Sequence, residues 1–131
     1  MRWLGVDPGE RRVGIAACDP EERVAVPLEV VPESAAFPAI RAIAKRERIA
    51  GIVVGLPLLL DGSEGAAARL ARRLGSRIER ALALPVAYED ERFTTVAAER
   101  EGGDGPRDDI AAALMLQQFI DRRKRESDAR S

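Results

Sequence analysis

The sequence predicts an α/β fold built on a five-stranded mixed sheet, and three observations carry that expectation. Three short apolar runs follow one another within the first 31 residues, parted only by turn residues. Beyond residue 33, segments of helical period alternate with further apolar runs. The run "AGIVVGLPLL" at 50–59 opens without a polar break, which marks a strand covered on both faces. The predicted order is β-β-β-α-β-α-β-α.

The first strand is "RWLGVD", 2–7, and Pro8-Gly9 begins the turn after it. The second is "RRVGIAACD", 11–19, with Val13, Ile15 and Ala17 on one face. Residues 23–31 form the third, where Pro27 predicts an irregular or edge position. Together they read as an antiparallel meander. Residues 34–48 are helical, with Phe37, Ile40, Ile43 and Ala44 along one stripe and Ser34 as the cap. The strand at 50–59 is followed by the loop "DGSEG" and a second amphipathic helix over 66–84. Its inward positions are expected to be Ala67, Leu70, Ala71, Leu74, Ile78 and Leu82. "PVAYEDERF", 85–93, is the fifth strand and ends in acids. A short helix at 94–101 and a loop at 102–106 lead to the last helix, 107–124. A single domain over 1–124 is expected, with 125–131 a polar, frayed tail.

With 131 residues, 46% of them apolar, the chain can fill one core without disulfides. The lone Cys18 reads as core packing and fits a reducing compartment. Neither an apolar stretch of about 18 residues nor a signal-peptide layout is present, so the expectation is a soluble cytoplasmic protein with no membrane partner. Of 21 basic residues only Lys45 and Lys124 are lysine, and arginine offers a rigid two-pronged donor to phosphate. The net charge of −1 neither supports nor excludes a nucleic-acid partner. There is no histidine. That removes Ser-His-Asp and Cys-His hydrolases and His-ligated zinc, leaving hydrolysis to carboxylates and an oxygen-bound metal.

Acids fall at three notable places. Asp7 ends the first strand, Asp90 and Glu91 end the fifth, and Asp108 and Asp109 open the last helix. Each has a plain reading alone: a turn residue, a solvated strand end, a helix cap. With the first strand central, however, its carboxyl end and that of the fifth form one rim, and the last helix can bring its first turn there. Carboxylates held close repel unless a cation joins them. Hard oxygen donors without histidine point to Mg²⁺ or Mn²⁺. Two such ions about 3.5–4 Å apart suit phosphodiester hydrolysis.

Four motifs in order then resemble the YqgF family, also called RuvX, of the RNase H-like superfamily. They are "GVDPGERRVGIA", "IVVGLPLLLDGSEG", "DERFTT" and "DDIAAALML", and the match runs over essentially the whole chain. The resemblance implies an RNase H-like fold, with helices on both faces of the sheet, and a metal-dependent nuclease. It carries over Asp7 and Asp109 as catalytic acids and metal ligands, with Asp90 or Glu91 between them. Strand alternation lets one of that pair reach inward, and the longer arm of Glu91 favours it. The family is implicated in processing the 5′ end of pre-16S rRNA and has been proposed to resolve Holliday junctions in branched DNA. This chain departs from it in two places. Leu59 stands where Asn is common after "GLP", and the loop "EGGDGPR" is short, with Arg107 in place of a lysine.

Further residues could meet a nucleic-acid substrate. Arg11 and Arg12 flank Asp7 in the turn, and Arg92 and Arg107 flank the other acids. Gly55, Gly62 and Gly65 permit close backbone approach, and Ser63 can contact a phosphate or cap the helix. Arg69, Arg72, Arg73, Arg77 and Arg80 could form a basic stripe, although a solvated face explains them as well. Two other classes compete. An actin-like kinase shares Asp7, Gly9 and Gly14 but needs two such domains, and a catalytically silent RNA-binding domain would not need all three acids. A monomer or a homodimer fits equally.

Overall fold

β1 (Trp3–Pro8), β2 (Arg12–Cys18) and β3 (Ala25–Pro32) open the computed structural model, which describes residues 1–91 and 108–130. A 3-10 turn (Glu33–Ala35) leads into α1 (Ala36–Arg46). Then come β4 (Gly51–Leu56), α2 (Ala66–Leu82), β5 (Val86–Asp90) and α3 (Asp108–Arg130). The strands lie in the order β3-β2-β1-β4-β5. β1–β2 and β2–β3 pair antiparallel, while β1–β4 and β4–β5 pair parallel, so the sheet is mixed as expected. The short helix expected over 94–101 lies outside the described residues.

Alternation along β1 sorts the molecule into two cores. Leu4 and Val6 face the side covered by α1 and α2, where Ile15, Ile40, Ile43, Ile52 and Ile78 join them. Trp3 faces the other side with Ala16, Cys18 and Val53, under Ala112, Met115, Leu116, Phe119 and Ile120 of α3. The Trp3 and Phe119 rings meet edge to face, 5.0 Å between centroids. Both faces of the central strands are thus closed, which accounts for the unbroken apolar run of β4.

Pro27 reads as the sequence suggests. β3 is an edge strand, and the β2–β3 ladder shifts register between Ile15 and Ala16, opposite Glu29 and Pro27. Other expectations need correction. α1 starts at Ala36, so Ser34 lies in the 3-10 turn and makes no capping hydrogen bond. Pro38 is tolerated because it falls in the first helical turn, whose N–H groups have no helical partner. α2 buries Ala68, Ala71, Gly75 and Ile78, not Ala67 and Leu70, and Leu70 is 55% exposed. The phenol of Tyr88 lies where a side chain on Gly75 would stand, so the helix sits on the sheet through its small residues. α3 continues to Arg130, past the end expected at 124, and Arg122 reaches Glu126 one turn on at 3.8 Å.

Candidate active site

The site is built at the carboxyl end of β1. Asp7 is 1% exposed and points to the α3 side of the sheet, as Trp3 and Gly5 do. On β5, Ala87 and Glu89 share that side, and alternation sends Glu91 there too. Asp90 pairs in register with Leu56, whose side chain belongs to the opposite core, and it is exposed. The pair at the end of the fifth strand is therefore divided by the pleat. Glu91, the favoured candidate of the pair, turns inward at 6% exposure, and Asp90, the other candidate, turns away.

Gly55 of β4 lies between the two inward acids. A side-chain carbon there would stand 2.8 Å from Glu91 Oε1 and 3.3 Å from Asp7 Oδ1. The missing side chain is the space that both carboxylates enter. Glu91 is held to β4 by its own N–H, which donates to the Leu56 carbonyl at 3.3 Å.

A second glycine admits the helix. Gly14 is the register partner of Asp7 in the β1–β2 ladder. The backbone of Asp108 and Asp109 fills the place its side chain would take. The first turn of α3 consequently rests on β2 next to Asp7. Asp109 is half-buried there, its Oδ1 accepting the Ile110 N–H at 3.0 Å. Asp108 instead turns to the turn arginine, with Arg12 Nε 3.2 Å from its Oδ2. Among the described residues, no three acidic or sulfur side chains already stand in a metal-binding arrangement. What is assembled is the buried pair Asp7 and Glu91, with the backbone bearing Asp109 brought alongside.

The donor set fits a hard divalent cation. Two buried carboxylates enter the space left by the missing Gly55 side chain, and their repulsion falls when a cation joins them. Oxygen donors of this kind suit Mg²⁺ or Mn²⁺ rather than softer metals.

Among the remaining sequence candidates, Ser63 does not cap α2. Its Oγ and N–H both donate to Asp61 Oδ1, at 2.6 and 2.9 Å, within the turn that Gly62 completes at φ 91°. Gly65 is the residue before α2 and offers no side-chain cap. Arg11 is exposed, and its carbonyl accepts the Glu33 N–H at 2.8 Å. Arg92 and Arg107 lie outside the described residues.

Two participants escape sequence reasoning. Gly14 could have been found by counting outward from the turn in which Gly9 N–H meets the Arg12 carbonyl, since that register sets it beside Asp7. Glu89 is 1% exposed on the same side as Glu91. Arg122 Nη1 lies 2.6 and 2.7 Å from its two oxygens, and Gln118 Nε2 donates at 2.9 Å. This buried acid ties β5 to the middle of α3, the two elements that carry the outer acids of the site.

A model of the RuvX family, described as Holliday junction resolvase, matches residues 1–122. A protein of Anaeromyxobacter sp. named "Putative pre-16S rRNA nuclease" is 42% identical over 135 residues, covering 94% of this chain and 98% of its own. One of the same name from Limosilactobacillus fermentum is 36% identical, covering 92% and 94%. RuvC of Thermus thermophilus superposes with a TM-score of 0.64 over 95% of this chain and 96% of its own, at 18% identity, so it shares the fold.

Proposed function

The chain belongs to the RuvX family, and from that premise we propose that it is a divalent-metal-dependent nuclease hydrolysing phosphodiester bonds of structured RNA at the 5′ end of pre-16S rRNA. The observation that carries this reading is the pair of buried carboxylates, Asp7 and Glu91, facing each other across Gly55.

Asp7 and Glu91 would hold the metal, with Asp109 as a third ligand from α3. Two ions, Mg²⁺ or Mn²⁺, fit the charge of that set. Bound there, the metal supplies Lewis acidity toward phosphate oxygens and a lowered pKa for water. The chain's own residues do the rest. Burial of Asp7 and Glu91 keeps water from screening their charge, so their pull on a cation is strong. Gly55 keeps both carboxylate arms extended into one space. The first turn of α3 directs backbone N–H groups and its dipole toward an incoming phosphate. Arg12, anchored to Asp108, stands beside that turn as a hydrogen-bond donor to phosphate, with Arg11 next to it. Arg92, Arg107, Gly55 and Ser63 complete the proposed substrate contacts.

The relatives' names favour an rRNA precursor. The family's description supports a second reading, cleavage of branched DNA. Among the described residues no helix is long and apolar enough to cross a membrane, and the reading places the work in the cytoplasm. The test is cleavage of a pre-16S 5′ end and of a four-way junction, each with Mn²⁺ and with chelator. Metal-dependent cutting of the RNA alone supports the first reading, and cutting of the junction alone the second. Wild-type protein that cuts neither sinks both.

A further inference from the structure

On the face opposite α3, a cleft of about 490 Å³ opens between α2 and the β1–β2 turn. Its floor is apolar, made by Phe37, Leu74 and Leu70. Leu70 is the residue that helical periodicity directs inward and that the structure leaves 55% exposed. Arg73 and Arg77 line the α2 side, and Glu10 and Glu33 the other. Arg77 is laid over the floor, its guanidinium carbon 3.9 Å from the Phe37 ring centroid. Arg73, by contrast, has no acidic partner among the described residues.

The cleft opens onto a second, shallower depression lined by Arg69, Arg72, Arg73, Ser76, Arg77 and Arg80. Among the described residues, Arg72 alone of these forms an ion pair, with Glu64 at 2.6 Å. Within α2 five arginines face one glutamate, Glu79, in a chain whose net charge is −1. Positive charge is therefore concentrated on this helix.

Apolar floor and the guanidinium groups of the α2 side together match an unpaired polynucleotide, whose bases need a surface to stack on and whose phosphates need cations and would keep to that side, away from Glu10 and Glu33. A duplex hides its base faces and has no use for the floor. The position adds to the match. Pro8 and Gly9, next in sequence to Asp7, form part of the cleft wall, so a strand lying there leads around the sheet end to the acids. We infer that this cleft docks a single-stranded RNA segment flanking the scissile bond, with Arg73 and Arg77 on phosphates and bases against Leu70 and against the Phe37 ring that Arg77 uncovers as it swings out to its phosphate. The inference rests on the nuclease reading for its choice of RNA.

The test measures binding of a fluorescent single-stranded RNA and of a blunt RNA duplex to full-length protein, in chelator, across salt. Hydrolysis of a small chromogenic phosphodiester, too short to reach the cleft, is followed alongside with Mn²⁺. The Arg73→Ala/Arg77→Ala variant should bind the single strand about tenfold more weakly, and its log–log salt slope should flatten by about 1.4. Hydrolysis of the small substrate should stay at the wild-type rate. Phe37→Leu, which keeps an apolar side chain in place, should weaken the single strand about fivefold with the salt slope kept. Unchanged affinity and slope in the arginine variant, or an equal loss on the duplex, overturns the proposal. If wild type binds the single strand through these arginines yet hydrolyses nothing, the docking site stands and the nuclease reading falls.

Discussion

The chemistry of single side chains decides which acids can act. Asp7→Asn keeps the shape of the buried residue and removes its charge. Metal-dependent cleavage should fall by about 10²–10⁴-fold while the thermal midpoint holds or rises, because the variant relieves repulsion from Glu91. A rate assay beside a melting curve checks both. Asp90→Asn should leave the rate within about twofold, since it changes an exposed group on the other side of the pleat. Loss of activity there equal to that of Glu91→Gln would reverse their assignment. Gly55→Ala sets a methyl group against both carboxylates and should cost about 10²-fold in rate through misplacement. Asp7 was legible because a lone acid closes an apolar run before Pro-Gly. The choice between Asp90 and Glu91 was narrowed but not closed, because the facing direction of a strand depends on register with β4, which the chain's own spacing does not state. Glu89 was illegible for a related reason. Its partners Gln118 and Arg122 come from about thirty residues away, and a solvated strand end has the same sequence.

Among elements, α3 carries most of the consequences. Its contact with Gly14 is backbone against backbone, so Gly14→Ala must push the helix outward. That overpacking should cost about 1–3 kcal/mol in urea unfolding and lower activity together with stability. Arg122→Ala leaves the buried Glu89 short of its charged partner and should cost about 2 kcal/mol. Adding Glu89→Gln to that variant should recover part of the loss, whereas an additive further loss would show that the pair contributes little. The order of elements along the chain, the edge character of β3 and the core stripe of α1 were readable from period and proline placement. The rotation of α2 was not. Leu70 and Ala67 satisfy helical spacing as well as Ala68 and Gly75 do, and the deciding contact, Gly75 under Tyr88, joins two elements. The true length of α3 was also hidden, since its last turns are exposed and give no apolar period.

For the molecule as a whole, acid should loosen the seam between the chain's first residues and its last helix. Burial pushes the Glu22 carboxyl up, but hydrogen bonds from Arg123 at 2.9 Å and the Met1 amine at 3.2 Å outweigh it and hold it below its ordinary value. Asp19, through the Val24 and Arg23 N–H groups, and Glu47, through Arg46 and Arg2, are lowered as well. Groups of this kind contribute stability above the ordinary carboxylate pKa and lose it as pH falls through their own lower values. Unfolding free energy should therefore decline below about pH 4.5, and Glu22→Gln should show a shallower decline. A slope identical to wild type would remove Glu22 from the explanation. The position of β1 has a further consequence in time rather than space. Asp7 sits on the middle strand, hydrogen-bonded on both flanks and roofed on both faces. Amide protons of Val6 and its strand neighbours should exchange with deuterium only when the entire chain opens, among the slowest in the protein. The proposed reactive end of the molecule would then share the lifetime of the native state itself, with no looser sub-state in which the core acid strays while the rest stays folded.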